Sequence, residues 1–254
     1  MDLMTLPAPA FTTLDGVMQS IAAACYLVIG TAAWLRAKRD IRTQVFLAFS
    51  VANLIVLGIP TLWWIRGMTD PRKLPAGATA AVFAGLGVGS LLLFHFTQVF
   101  PRRRPWIKAS GSQMAIAYGL APLAIAGLVW FAPASPAMLT GPYVLAVIVF
   151  GFPLLVLLGI VLPVTAVVSL VRSHREVLQQ EGLAHLKRPL EWILISQIGG
   201  GTFAILFAPV LVTLAPNSVT LTVVTLLIWA LGLLTPLAVS AAVWKYDVLA
   251  ISAD

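Results

Sequence analysis

Three polar side chains stand out in a chain that is otherwise apolar for long stretches. His95 can donate, accept or take up a proton near neutral pH, and Gln98 lies one helical turn further on, on a similar face. Glu191 supplies a carboxylate at the start of a later apolar run, entering from the same end as His95. Ionisable groups within membrane spans are the default candidates for a functional site, and His95, Gln98 and Glu191 are placed so that they could form a polar switch in one half of the bilayer, although packing is the favoured reading of His95. In that reading His95 makes a packing hydrogen bond to a neighbouring helix. Asn53 and Gln197 complete the candidate ligand or switch residues, and Asn53, mid-way along an apolar run, is expected to need an interhelical partner.

Several chemistries are excluded by residue type. A retinal Schiff base needs a lysine in the middle of a span, and Lys245 sits at a boundary. Haem held between helices needs paired histidines, and only His95 falls within a span. An ion pump needs a relay of carboxylates, and none occupies a span centre. Gly85, Gly87 and Gly89, and the Gly199-Gly200-Gly201 run, read as close helix packing, since no Lys-Ser/Thr follows either set to cradle a phosphate. The single cysteine, Cys25, allows no internal disulfide. The stretch Ala184-His185-Leu186-Lys187-Arg188-Pro189-Leu190 approaches a phosphoacceptor box, but it lacks the acidic neighbour and no glycine-rich ATP site follows. No catalytic residue, metal or cofactor is expected, and the chain reads as non-enzymatic.

The elements that must position these residues are membrane helices. Apolar residues make up 60% of the chain and charged ones 10%, far from the roughly 25% charge of a soluble domain. Seven runs of about twenty residues or more, enough to cross a hydrocarbon core of roughly 30 Å, cover about 14–35, 43–65, 77–100, 112–131, 141–171, 190–214 and 219–243. An all-α, seven-helix bundle over 14–243 is therefore expected, between tails at 1–13 and 244–254. Pro153 and Pro163 are expected to kink the long fifth span. The residues from Glu176 to Leu186 suit a helical extension along the membrane surface.

Charge sets the orientation. Arg36, Lys38, Arg39 and Arg42 follow span one, Arg102, Arg103, Arg104 and Lys108 follow span three, and Arg172, Arg175, Lys187 and Arg188 follow span five. With Lys245 that makes thirteen basic residues on one side against three on the other, Arg66, Arg72 and Lys73. The positive-inside rule then puts the N-terminus outside and the C-terminus in the cytoplasm. The basic clusters are expected to anchor at anionic headgroups. Nucleic acid is excluded as a partner, because the cations are short loop clusters rather than one basic face. The N-terminus lacks the positive region of a cleavable signal. Trp63, Trp64, Trp130 and Tyr143 read as an interfacial aromatic belt on the outer side.

Three segments carry a resemblance. Phe94-His95-Phe96-Thr97-Gln98-Val99-Phe100-Pro101-Arg102-Arg103-Arg104-Pro105 is similar to the His-Phe-x-x-x-Phe-Pro and basic-proline stretch that ends the third helix of a seven-helix membrane sensor region. That region stands at the N-termini of bacterial histidine kinases and related signalling proteins. Leu190-Glu191-Trp192-Ile193-Leu194 resembles its helix-five to helix-six connection, with Pro189 and Leu190 where a basic pair is usual. Lys245-Tyr246-Asp247-Val248-Leu249-Ala250-Ile251 resembles its exit motif, with Ala250 replacing the usual acid. The resemblance implies a multi-pass protein of the bacterial inner membrane that senses a membrane or ligand signal. Because the exit motif is followed only by residues to Asp254, the output is expected to pass to a separate protein, on the cytoplasmic side or in the membrane. The alternative function is a structural subunit or assembly factor of a transport or export complex.

Overall fold

The computed structural model describes residues 13–68, 74–101, 123–125, 127, 149, 151–200, 203, 207, 210, 211, 213 and 218–250. Among these residues the chain is helical and contains no strand. The helices are α1 (Thr13–Arg36), α2 (Ile41–Ile65), α3 (Ala76–Val99), α4 (Phe152–Val156), α5 (Leu162–Gln179), α6 (Lys187–Leu194) and α7 (Ser218–Trp244). Among the described residues, five stretches are long and apolar enough to cross a membrane: Leu14–Arg36, Ile41–Ile65, Ala76–Val99, Phe152–Gln179 and Val219–Trp244. This supports a membrane-embedded, multi-pass chain. They coincide with the first, second, third, fifth and seventh expected spans. The fourth lies outside the described residues except for 123–125 and 127, and the sixth is described only in part.

Local chemistry explains where the helices stop. Asp40 caps α2, its carboxylate accepting the backbone N–H of Arg42 at 2.8 Å. At the other end of α2, Gly67 takes φ +75°. Its N–H reaches the Trp64 carbonyl at 2.8 Å, and the Met68 N–H reaches that of Trp63 at 3.2 Å. These two bonds complete a left-handed helix stop that only a residue without Cβ adopts freely. Between Pro153 and Pro163 the helix loosens into a π turn, Leu157–Val161. Proline has no N–H to donate and its ring presses on the carbonyl four residues back, so a wider turn relieves both.

The helices close a ring: α1 packs on α2, α2 on α3, α3 on α5, α5 on α6, α6 on α7 and α7 on α1. Small residues set the approach. A Cβ at Gly30 of α1 would run into the Ser50 hydroxyl of α2, and one at Gly16 into the Trp64 ring. Gly85 faces Val56 and Gly87 faces Ile125 and Leu158, as expected of packing glycines, while Gly89 has nothing within 4 Å. Proline also shapes the α1–α7 contact. Pro236 lies inside α7 and cannot donate to the carbonyl of Gly232, four residues earlier. The Tyr26 hydroxyl of α1 donates to that oxygen instead, at 3.4 Å. Replacing Tyr26 with Phe is expected to cost about 0.6 kcal/mol, the average for interhelical bonds in membranes, seen as a lower melting temperature in detergent micelles.

Candidate functional site

The core is concentrated at one end of the ring, where the α1–α2 turn, the end of α3, the α5–α6 junction and the end of α7 meet. Phe46, Phe96, Phe100, Leu170, Leu186, Leu190, Ile193 and Val248 are all fully buried there. Phe96 stacks on Phe100 with ring centroids 4.9 Å apart and tilts against Phe46 at 5.7 Å. The buried positions of α5, namely Ala166, Ser169, Leu170, Ser173 and Val177, recur at helical spacing, so its inner stripe continues past the apolar run into the basic one. A 3-10 turn, Glu181–Leu186, then returns the chain to α6. Val177, Leu183 and Leu186 join the core. The expected surface extension is thus a helical hairpin folded onto the bundle.

Arg42 sits in the middle of this end and is only 3% exposed. Its guanidinium grips both oxygens of Asp40, with Nε at 3.0 and 3.1 Å and Nη2 at 2.6 Å. Its Nη1 donates to two carbonyls, Pro101 after α3 and Val248 after α7, each at 2.9 Å. One side chain therefore ties the α1–α2 turn to two segments 59 and 206 residues away. A planar, permanently charged fork suits this role, and an ammonium does not. Counted in the sequence among the loop cations that anchor at headgroups, Arg42 is instead an internal joint.

The segment after α7 is held at a second point. Asp247 takes φ +47°, a left-handed conformation that Asp tolerates better than most residues, and it turns the chain back so that Val248 enters the core. Its carboxylate meets Arg36 at the end of α1, at 3.1 Å. Tyr246, Val248 and Leu249 are thus packed against the bundle, with 251–254 outside the described residues.

His95 and Gln98 are both buried, at 5% and 4% exposure. Gln98 Nε2 donates to Thr97 Oγ1 at 3.2 Å, and the Thr97 carbonyl accepts from Ser169 Oγ of α5 at 3.1 Å. This stretch of α3 is therefore bonded across to α5. Glu191 goes elsewhere: its carboxylate meets His174 of α5 at 3.4 Å and Lys187, one turn before it, at 3.8 Å. The α5–α6 hairpin brings His174 alongside, a neighbour that spacing along the chain does not reveal.

Ser20, Ser50, Thr61, Ser90 and Thr165 bond back to their own turn, and such groups need no other helix. Asn53 does the same, its amide donating to the Phe49 carbonyl at 2.9 Å rather than to the expected second helix. Gln197 is different. Its amide donates to Thr235 Oγ1 of α7 at 3.0 Å, and that hydroxyl donates to Ser196 Oγ at 2.8 Å. Ser196 and Gln197 lie in a π turn, Ile195–Gly200, beside the glycine run. Such turns recur at functional sites.

Among the remaining expected anchors, Lys38, Arg39, Arg172, Arg175, Lys187 and Arg188 are exposed. Arg102, Arg103, Arg104 and Lys108 lie outside the described residues, as do Trp130 and Tyr143. Trp63 and Trp64 are half-buried, Trp64 against Gly16. The arrangement has the character of a mechanical joint: buried, hydrogen-bonded across four helices, and closed by one cation. No family model, curated protein or solved structure matches the chain.

Proposed function

We propose that this chain is a non-enzymatic sensor or regulatory module of a bacterial inner membrane, with seven spans, its N-terminus outside and its C-terminus in the cytoplasm. A change in the bilayer or at a bound ligand shifts α3 against its neighbours. Arg42 carries that shift to the segment after α7, and a protein partner on the cytoplasmic side or in the membrane reads it. One observation carries the reading. The described parts of the three segments that resemble a seven-helix sensor region, at 94–105, 190–194 and 245–251, meet in a single core, and Arg42 bonds the first to the last.

The test uses a photo-crosslinking residue at the exposed Lys245 in the native membrane. The expected result is a defined protein adduct that is lost in Arg42→Gln at matched protein level. Adducts with lipid alone, or an adduct indifferent to Arg42, would overturn the proposal. Replacing His95 with Phe in the same assay separates its two readings. A packing residue costs about 1 kcal/mol of stability and leaves the adduct proportional to protein level, which is the expected outcome. An adduct lost at unchanged protein level makes His95 part of the switch. Orientation is tested separately: a cytoplasm-only reporter is expected to work after Asp254, and an exterior-only reporter at residues 133–139.

A further inference from the structure

We propose that the groove between α2 and α3, closed at one end by Trp34 of α1, holds one acyl chain of an anionic phospholipid whose headgroup rests on Lys38 and Arg39. The groove encloses about 670 Å3 and is almost wholly apolar. Its floor is made by side chains too small to fill it, Ala48 and Ala52 of α2 with Ala81, Ala84 and Gly85 of α3. It runs along α2 from Gln44 to Ile55. At 1.5 Å per residue that is about 16 Å, close to half of a hydrocarbon core of roughly 30 Å. A groove with that reach, starting at the α1–α2 turn and ending at mid-membrane, matches one leaflet's chain.

Charge at the mouth selects the headgroup. Lys38 Nζ lies 5.5 Å from the Trp34 ring centroid, and Trp34 itself lines the groove. The Gln44 amide, also lining it, fixes the turn by donating to the Lys38 carbonyl at 2.8 Å. Both nearby acids are already engaged, Asp40 by Arg42 and Asp247 by Arg36. Among the described residues neither Lys38 nor Arg39 has an acidic partner, and both are exposed. The mouth therefore carries Lys38 uncompensated above an apolar slot, with the exposed Arg39 following it in the chain, the pattern by which membrane proteins take acidic lipids. The proposal does not depend on which side of the membrane this turn occupies, so it stands or falls separately from the proposed function.

The test is native mass spectrometry of the full chain released from micelles holding equal amounts of dioleoylphosphatidylglycerol and dioleoylphosphatidylcholine. The wild type is expected to retain one phosphatidylglycerol per chain in clear preference to phosphatidylcholine. Lys38→Gln with Arg39→Gln, both at exposed positions, is expected to reduce that preference by about thirtyfold, given the attraction of each cation for an acidic surface. Ala48→Leu, which fills the slot, is expected to lose the retained lipid of either kind at unchanged helical content. Equal retention of the two lipids by the wild type would overturn the proposal, as would undiminished retention in Ala48→Leu. A second protein chain released by Ala48→Leu in place of lipid would also overturn it, identifying the groove as a helix-packing face. Should Ala48→Leu fail to fold, the glutamine pair decides alone.

Discussion

Replacing Arg42 with Met is expected to destabilise the protein by about 3 kcal/mol and to free the segment after α7. Removing one partner of a buried ion pair costs roughly 3–5 kcal/mol, because the charge left behind has lost its compensation. Asp40 keeps 14% exposure, so water relieves part of that penalty and the lower figure applies. The carbonyls of Pro101 and Val248 lose a charged donor in the same step. Thermal melting in micelles reads the total. Hydrogen exchange over residues 245–250 reads the local release, which is expected to exceed any change in α2. The double variant with Asp40→Asn is expected to recover part of the loss, since Asn still caps the helix and carries no stranded charge. Unchanged exchange at 245–250 would mean that Val248 and Leu249 hold the segment through apolar contact alone.

The second large effect is expected at Gly30. A methyl group there meets Ser50 Oγ and Cβ, and Ser50 is wholly buried and bonded to its own helix. Neither group can move without separating α1 from α2. Overpacking of this kind costs about 1–3 kcal/mol, and Gly30→Ala is expected to fall in that range despite the better helix propensity of alanine. The reciprocal change Ser50→Gly removes both offending atoms, so the double variant is expected to recover most of the loss. Additive losses would show that the two positions do not touch.

Five of the expected spans were legible because twenty apolar residues in succession have few other uses, and prolines and glycines punctuate them. Arg42 was not. It stands in a gap with three other cations, and nothing adjacent marks it except Asp40 two residues earlier, the one acid in that gap. Its carbonyl partners belong to segments far along the chain, which no local pattern connects. Gln197 is readable as an amide within a span, whereas nothing in the sequence separates Ser196 and Thr235 from hydroxyls that bond to their own turn. Only the pairing of α6 with α7 distinguishes these two. Glu191 is paired with His174 by the helical hairpin, a neighbour that its place near one membrane face does not reveal. In each case residue type was readable, and the partner depended on which helices the ring sets side by side.

The joint at Arg42 also has a history in time. Its Val248 acceptor lies 206 residues further along the chain. At about 5–20 residues per second, that carbonyl is made some 10–40 s after the arginine. Until Pro101 follows, 59 residues after the arginine, the carboxylate of Asp40 is the one of these acceptors already synthesised beside the guanidinium. The carboxylate thus serves two successive states, first as the interim host of a cation waiting at the edge of the bilayer, then as one member of the finished joint. A nascent chain arrested before α7 is a ring left open, with its basic end assembled only as far as Asp40 and Pro101 can hold it.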